Sequence, residues 1–251
     1  MGALEQDIER IIKQEVQTLN RPDLFREPLV SFSSAEDPRY MELKEIVGEW
    51  HLTPKELMED AKSVISYFVP FTKEVVAEPK TTEAESPRWG ESYIVMNDYF
   101  THINQVICDY LEKAGYSAFM IQATHTYNEA DMKSMWSHRS AAAIAGLGTF
   151  GANRMLITEK GSGGRFCTVL TSAPLEARQK MPEEKCLYLK NGSCGLCFKR
   201  CPVGALKPGE INRFACQAVT RENEKKLVEK GIPNADTCGK CVSICPLAYI
   251  E

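Results

Sequence analysis

The sequence predicts an α+β protein in two parts. A mixed helix-and-strand sandwich covers residues 1–175, and a small cysteine-rich unit covers residues 176–251. Three observations carry this reading. Helical and strand periods alternate through the first part, the pattern of a layered α/β or α+β domain. A stretch with Pro174, Pro182 and mixed charge over 172–184 reads as a linker. Eight of the ten cysteines crowd into the last 66 residues.

The elements follow in order. Leu4, Ile8, Ile11, Ile12 and Leu19 recur at helical spacing, so residues 3–19 form an amphipathic helix, stopped by Asn20-Arg21-Pro22. Thr53-Pro54 is an N-cap followed by proline at the first helical position, which starts a short helix to about residue 60. Residues 63–71, SVISYFVPF, are β-branched and aromatic and read as a buried strand. Residues 74–88 are polar with two prolines and read as a loop. A long helix over 89–113 stops at Gly115, a strand covers 116–123, and a second helix covers 132–145. RMLIT (154–158) and FCTVLT (166–171) read as a hairpin around the turn EKGSGG.

Composition excludes several classes. Hydrophobic residues at 43% and charged residues at 25% are those of an ordinary globular chain. A net charge of −4 offers no electrostatic footprint for nucleic acid. The longest stretch free of charged residues and histidine, 140–153, falls short of the roughly 18 apolar residues of a membrane span. The polar start MGALEQDIER has neither a secretory signal nor a myristoylation site, so a cytoplasmic location with reduced thiols is expected.

The cysteines carry the chemistry. Cys194-x2-Cys197-x3-Cys201-Pro202 and Cys238-x2-Cys241-x3-Cys245-Pro246 share one grammar. Cysteine triplets closed by Cys-Pro hold 4Fe–4S clusters in bacterial ferredoxins, and the thiolate before proline crosses to the other cluster. Two clusters need eight thiolates. Crossover assigns Cys186, Cys194, Cys197 and Cys245 to one, and Cys201, Cys216, Cys238 and Cys241 to the other. A further cysteine three residues before the first block would complete the usual run, but Asn191 stands there, so Cys186 must reach in from upstream. Three alternatives stay open: a zinc ribbon, disulfides, or one cluster with spare cysteines. Cys108 and Cys167 lie in apolar stretches and read as core.

Gly146-Leu147-Gly148-Thr149-Phe150-Gly151 matches G-x-G-x-x-G, yet a helix precedes it and a strand follows. The dinucleotide fingerprint requires the reverse order, so this loop reads as a tight turn or as a close backbone approach to another group.

The run SHRSAAAIAGLGTFGANRMLIT, then GRFCTVLT, then the twin cysteine blocks resembles the epoxyqueuosine reductase family, related to the core of reductive dehalogenases. The resemblance covers roughly residues 50–251. It implies a nitroreductase-like α/β cobalamin-binding domain over 1–175 and a ferredoxin-like domain with two 4Fe–4S clusters over 176–251. It also implies base-off cobalamin in the cleft between them. Electrons from a low-potential donor of ferredoxin or flavodoxin type pass through both clusters to cobalt, which as cob(I)alamin or cob(II)alamin reduces the substrate. Cobalamin contacts then fall on Arg139, Gly146, Leu147, Gly148, Gly151, Asn153, Arg165 and Phe166.

This chain departs from the family at several points. The family's acidic proton donor lies about fourteen residues before the first glycine of the loop, where this chain has Met132, with Asp131 adjacent. A Glu-Arg pair is replaced by His138-Arg139, and the C-terminal helical repeats of many members are absent. A small-molecule substrate is therefore expected in place of tRNA. Asp131, His138 and Tyr127 are the candidate proton donors. Each has a plainer reading, as a solvated helix-start acid or a capping or core side chain. His125 reads as a polar edge or pocket-floor residue, and Arg154 as a corrin or substrate contact or a surface charge. Two other functions compete: an electron-transfer or cobalamin-reducing protein serving a partner enzyme without its own substrate, and a flavin protein on the same fold.

Overall fold

The structure, a computed structural model, describes residues 2–122, 127–177 and 181–251. The first half runs α1 (Ala3–Thr18), β1 (Leu29–Ser34), α2 (Arg39–Ile46), α3 (Pro54–Leu57), β2 (Ser63–Pro70), α4 (Lys73–Thr81) and α5 (Pro87–Lys113). It continues through β3 (Ala118–Met120), β4 (Tyr127–Asn128), β5 (Lys133–Ser134), α6 (His138–Ile144), β6 (Gly148–Phe150), β7 (Leu156–Thr158) and β8 (Gly164–Thr171). The cysteine-rich part holds α7 (Leu187–Asn191), α8 (Leu196–Arg200), β9 (Leu206–Lys207), β10 (Glu210–Ile211), α9 (Arg213–Glu229) and α10 (Lys240–Ser243).

A four-stranded antiparallel sheet of order β1-β2-β8-β3 forms the middle layer. Every residue of β2 is buried, as its β-branched and aromatic run requires. Period-two alternation splits its side chains between two cores. Ile65, Tyr67 and Val69 meet Ile8 and Ile12 of α1 and Phe100, Ile103 and Ile107 of α5 on one face. Val64 and Phe68 meet α6 and its neighbours on the other. Ile103 is fully buried beneath α5, and Ile103→Ala is expected to cost about 3 kcal/mol by lost transfer energy and a residual cavity. A shift of the urea midpoint at unchanged slope checks this.

Several elements differ from the sequence expectation. The stretch read as a loop over 74–88 contains α4, because Val75, Val76 and Pro79 bury against the core and packing overrides a poor propensity. The helix expected from 132 starts only at His138, where the Ser137 side chain accepts the Ser140 N–H as an N-cap. Before it, Met132 sits at φ 57°, outside the helical region, at the turn of the β4–β5 ribbon. The expected hairpin of 154–158 with 166–171 does not pair with itself. β7 pairs with β6, while β8 inserts between β2 and β3. The strand β1 and helix α2 had no clear signal, and the helix at Pro54 ends at Leu57 rather than near residue 60.

The cysteine-rich part is fastened to this sandwich. Val242 and Ala248 belong to the main core, with Cys241 and Cys245 packed against it. The Gly163 N–H donates to Ala248 O at 2.8 Å, and Arg26 Nη2 donates to Ile250 O at 2.7 Å. The Ser243 hydroxyl donates to Val76 O on α4.

Candidate functional site

None of the eight C-terminal cysteines is in a disulfide, and they gather in two sets. Cys186, Cys194, Cys197 and Cys245 line one apolar cavity together with Tyr188, Leu196 and Pro246. Cys197 feels the charges of Cys245 and Cys186, and Cys245 feels those of Cys186 and Cys194. Cys216 and Cys238 in turn feel Cys201, and Cys241 feels Cys238, Cys216 and Cys201 ahead of Cys197 of the first set. Each set thus takes three cysteines from one stretch and the pre-proline cysteine of the other block. Cys186, whose reach the missing cysteine at Asn191 put in question, stands beside the first set. It caps α7, and the Ala152 N–H points to its sulfur at 3.4 Å.

Burial is the largest influence on five of these thiols. It pushes Cys197 up to about 11 and Cys241 up to about 12, and raises Cys216, Cys238 and Cys245 as well. Mutually facing, desolvated thiols stay protonated until a cation takes their protons' place, so metal binding here releases protons. Among the described residues, no three His, Cys, Asp or Glu side chains close around a point that would hold a single ion. Thiolates on the corners of a cubane stand further apart than those on one zinc ion, which all lie about 2.3 Å from the metal.

Beside the second set lies a cluster of side chains with unusual electrostatics. Arg139 keeps exposed surface, and Arg165 is half-buried. Burial nevertheless pulls both guanidinium pKa values below the ordinary arginine range, and the Arg165 and Arg213 charges add to this at Arg139. Both hold where a side chain is crowded by protein on most sides and still reaches solvent, as at a concave surface. Arg165 stacks over the Tyr93 ring at 4.3 Å and donates from Nε to Asn97 Oδ1 at 2.9 Å. Arg139 donates to Arg154 O at 3.0 Å and feels the Cys241 charge. Asp236 reaches the same place: it faces Tyr93 and Arg165, and its Oδ1 is buried without a hydrogen-bond partner among the described residues. Burial pushes the Tyr93 phenol up to about 12.

The other expected site residues distribute unevenly. His138 lies beside the Arg139 and Arg165 cluster, with Nδ1 2.8 Å from Thr168 Oγ1 and Nε2 3.0 Å from Gln122 O. Burial holds its imidazole down to about 4, so it is neutral near pH 7. An unfolded imidazole titrates near 6.5. Between those values the unfolded chain binds more protons, so this contribution to stability is complete above about 6.5 and is lost as pH falls toward about 4. His138→Gln is expected to flatten the acid side of the stability curve, read as urea midpoints at pH 7 and pH 5. An unchanged slope would assign the acid sensitivity elsewhere.

Asp131 is exposed on the β4–β5 turn and pairs with Lys133 at 3.3 Å. Tyr127 accepts a hydrogen bond from Gln217 of α9 at 3.1 Å. His125 lies outside the described residues. Arg154 donates to Gly209 O at 2.6 Å. Gly146 is the left-handed residue of a Schellman turn: its N–H bonds Ala143 O, and that of Leu147 bonds Ala142 O. A Cβ on Gly148 would stand 2.3 Å from Ile157 O, so that glycine answers to β7. Gly151 likewise stands close to Asn153 and Ile157. Leu147 and Phe166 are spent on core packing, Phe166 stacking on Phe68 at 4.3 Å. Asn153 donates to Cys241 O at 3.1 Å and ties the loop to the cysteine unit. Sequence reasoning missed Tyr93, Asn97, Arg213 and Asp236. The spacing of Tyr93 and Asn97 by one helical turn, and the place of Asp236 two residues before Cys238, were the available signals.

No protein-family model matches the chain. Solved structures define the class of fold. A complex of epoxyqueuosine reductase with an epoxyqueuosine-modified tRNA-Tyr stem loop superposes with a TM-score of 0.58 at 21% identity, covering 96% of this chain and 66% of that one. A catabolic reductive dehalogenase in complex with 3-bromo-4-hydroxybenzoic acid superposes with a TM-score of 0.59 at 15% identity, covering 88% and 30%. The fold is therefore one shared by these two groups of proteins. In sequence the chain resembles the epoxyqueuosine reductases in particular. It is 26% identical over 211 residues to the epoxyqueuosine reductase of Bacillus subtilis, covering 79% of this chain and 50% of that protein. The chain thus spans about half the length of that relative and is divergent from it.

Proposed function

We propose that this chain is an iron–sulfur reductase. Its residues 176–251 carry two 4Fe–4S clusters, and its residues 1–175 bind base-off cobalamin in the arginine-lined cleft. The observation that supports this best is the sorting of eight thiols into two crossover sets, one of them adjoining the cleft through Cys241 and Arg139. The donor set fits. Four thiols per set match a cubane, and Arg139 and Arg165 offer N–H donors to the amide and phosphate oxygens that a corrinoid carries.

Bound cobalamin supplies a cobalt centre reducible at low potential; the chain's part is to hold it, feed it electrons and exclude water. Arg165, braced by Tyr93 and Asn97, orients what lies in the cleft. Tyr93, protonated at neutral pH, is the group that gives a proton to a reduced substrate. The substrate is a small molecule, the setting is cytoplasmic, and the electron source is a low-potential carrier. The exposed position of Asp131 favours a second reading, in which the chain reduces cobalamin for a partner enzyme and has no organic substrate. Among the described residues no helix is long and apolar enough to cross a membrane.

Gel filtration of the reconstituted protein with cobalamin under nitrogen tests the proposal. Co-elution at about one cobalamin per chain is expected, with loss of retention in Arg165→Met. Free cobalamin beside a fully clustered protein would overturn it.

A further inference from the structure

The segment that supplies most of the first cysteine set has a composition found nowhere else in the chain. Residues 185–209 hold Lys185, Lys190, Lys199, Arg200 and Lys207 and no acidic residue. That is +5 in a chain of net −4, so the remainder carries −9. Arg200 is spent on Glu83 at 2.6 Å. Lys190 and Lys199 are exposed and have no ion pair among the described residues.

The α7–α8 side of this segment also exposes apolar side chains. Leu187, Leu189 and Leu196 are 43%, 52% and 41% exposed, where leucines are ordinarily covered. Leu187 with Lys190 on α7, and Leu196 with Lys199 on α8, are pairs three residues apart, so each helix shows a leucine and a lysine on one side. The Tyr188 and Phe198 rings meet edge to face at 5.0 Å and hold the two helices together. Leu187 and Leu196 also line the cavity shared by Cys186, Cys194, Cys197 and Cys245. The first set is thus reached from outside through a leucine-and-lysine surface, while the second adjoins the cleft.

We propose that this α7–α8 surface is the docking site of an acidic, low-potential, one-electron carrier protein, and that electrons enter through the cluster of the first set. This rests on the two-cluster reading. The step is an outer-sphere transfer: the carrier loses one electron, the cluster gains one, and no bond or proton changes hands. Apolar contact at the centre with lysines around it suits a transient complex steered by charge. A second exposed apolar groove, along α9 around Val219, mixes Glu222 with Lys226 and lacks such a field.

Stopped-flow reduction of the reconstituted protein by a reduced acidic ferredoxin, and separately by reduced flavodoxin, tests this. Cluster content and reduction by dithionite are measured first on every variant, so a protein without clusters fails the functional reading and not the docking site. Lys190→Glu with Lys199→Glu is expected to slow the bimolecular rate at low salt by about tenfold or more, with dithionite reduction unchanged. The salt dependence of the rate should flatten with it. Lys190→Glu alone should give a smaller loss in the same direction. Lys226→Glu, in the α9 groove, should leave the rate as it is. Equal rates in the double variant, or a loss confined to Lys226→Glu, would overturn the proposal.

Discussion

Replacing Cys201 by alanine is expected to remove the same cluster as replacing Cys238, although the two cysteines lie in different blocks. Cys245→Ala should instead match Cys194→Ala. Each single variant should retain about four of about eight iron atoms per chain, with one cluster's spectrum lost and the other kept. The grouping follows from the thiols that face one another: Cys238 feels Cys201, and Cys245 feels Cys186 and Cys194. Iron analysis and electron paramagnetic resonance of the reduced proteins read the outcome. If Cys201→Ala resembled Cys194→Ala, each block would hold its own cluster and the crossover would be wrong. Cys186→Ala belongs with Cys194→Ala, and it tests whether the upstream cysteine replaces the one missing at Asn191.

The second large effect concerns the joint between the sandwich and the cysteine unit. Gly161 sits at φ 99° in the turn before β8, and a Cβ there would lie 2.4 Å from Ala248 O. That carbonyl accepts the N–H groups of Ser162 and Gly163 at 3.1 and 2.8 Å. Gly161→Ala must therefore strain a left-handed backbone and push the terminal segment away, at a cost of about 3 kcal/mol. Because Ala248 follows Cys245 by three residues, the first-set cluster should be held less tightly and lost faster to a chelator. Gly192→Ala is the contrast. Its φ is 72° but nothing lies within 4 Å, so only the backbone penalty of about 1 kcal/mol is expected. Equal denaturant midpoints for the two variants would show that the close approach at Ala248 is relieved at no cost.

Much of the scaffold was legible in the sequence because its signals are local. The buried period of Ile8, Ile12 and Val16 specifies α1, and the β-branched run 63–70 specifies β2. The cysteine grammar sets an expectation of which thiols meet from the motif alone, and Cys186, Cys194, Cys197 and Cys245 line one cavity. What failed was non-local. β8 pairs with β2 across about a hundred residues rather than with its sequence neighbour β7, and nothing in RMLIT or FCTVLT records that choice. β1, LVSFSS, is half serine, and its strand character comes from lying against β2. The cleft was legible only in part. Arg139 and Arg165 were visible as cations near the glycine loop, but Tyr93, from α5, and Asp236, from the cysteine unit, meet them only in the fold. The glycine loop drew attention as a binding motif. Its glycines serve a Schellman turn and close contact with β7.

The most direct test of a cobalamin held beside iron–sulfur clusters is a spectrum. Cob(II)alamin is added to the reconstituted protein under nitrogen, and its electron paramagnetic resonance is recorded before and after cluster reduction. A bound, base-off cobalt signal that broadens when the clusters are reduced is expected. A cobalt spectrum identical to that of free cobalamin, alongside intact cluster signals, would contradict the account and leave an electron carrier or a flavin protein.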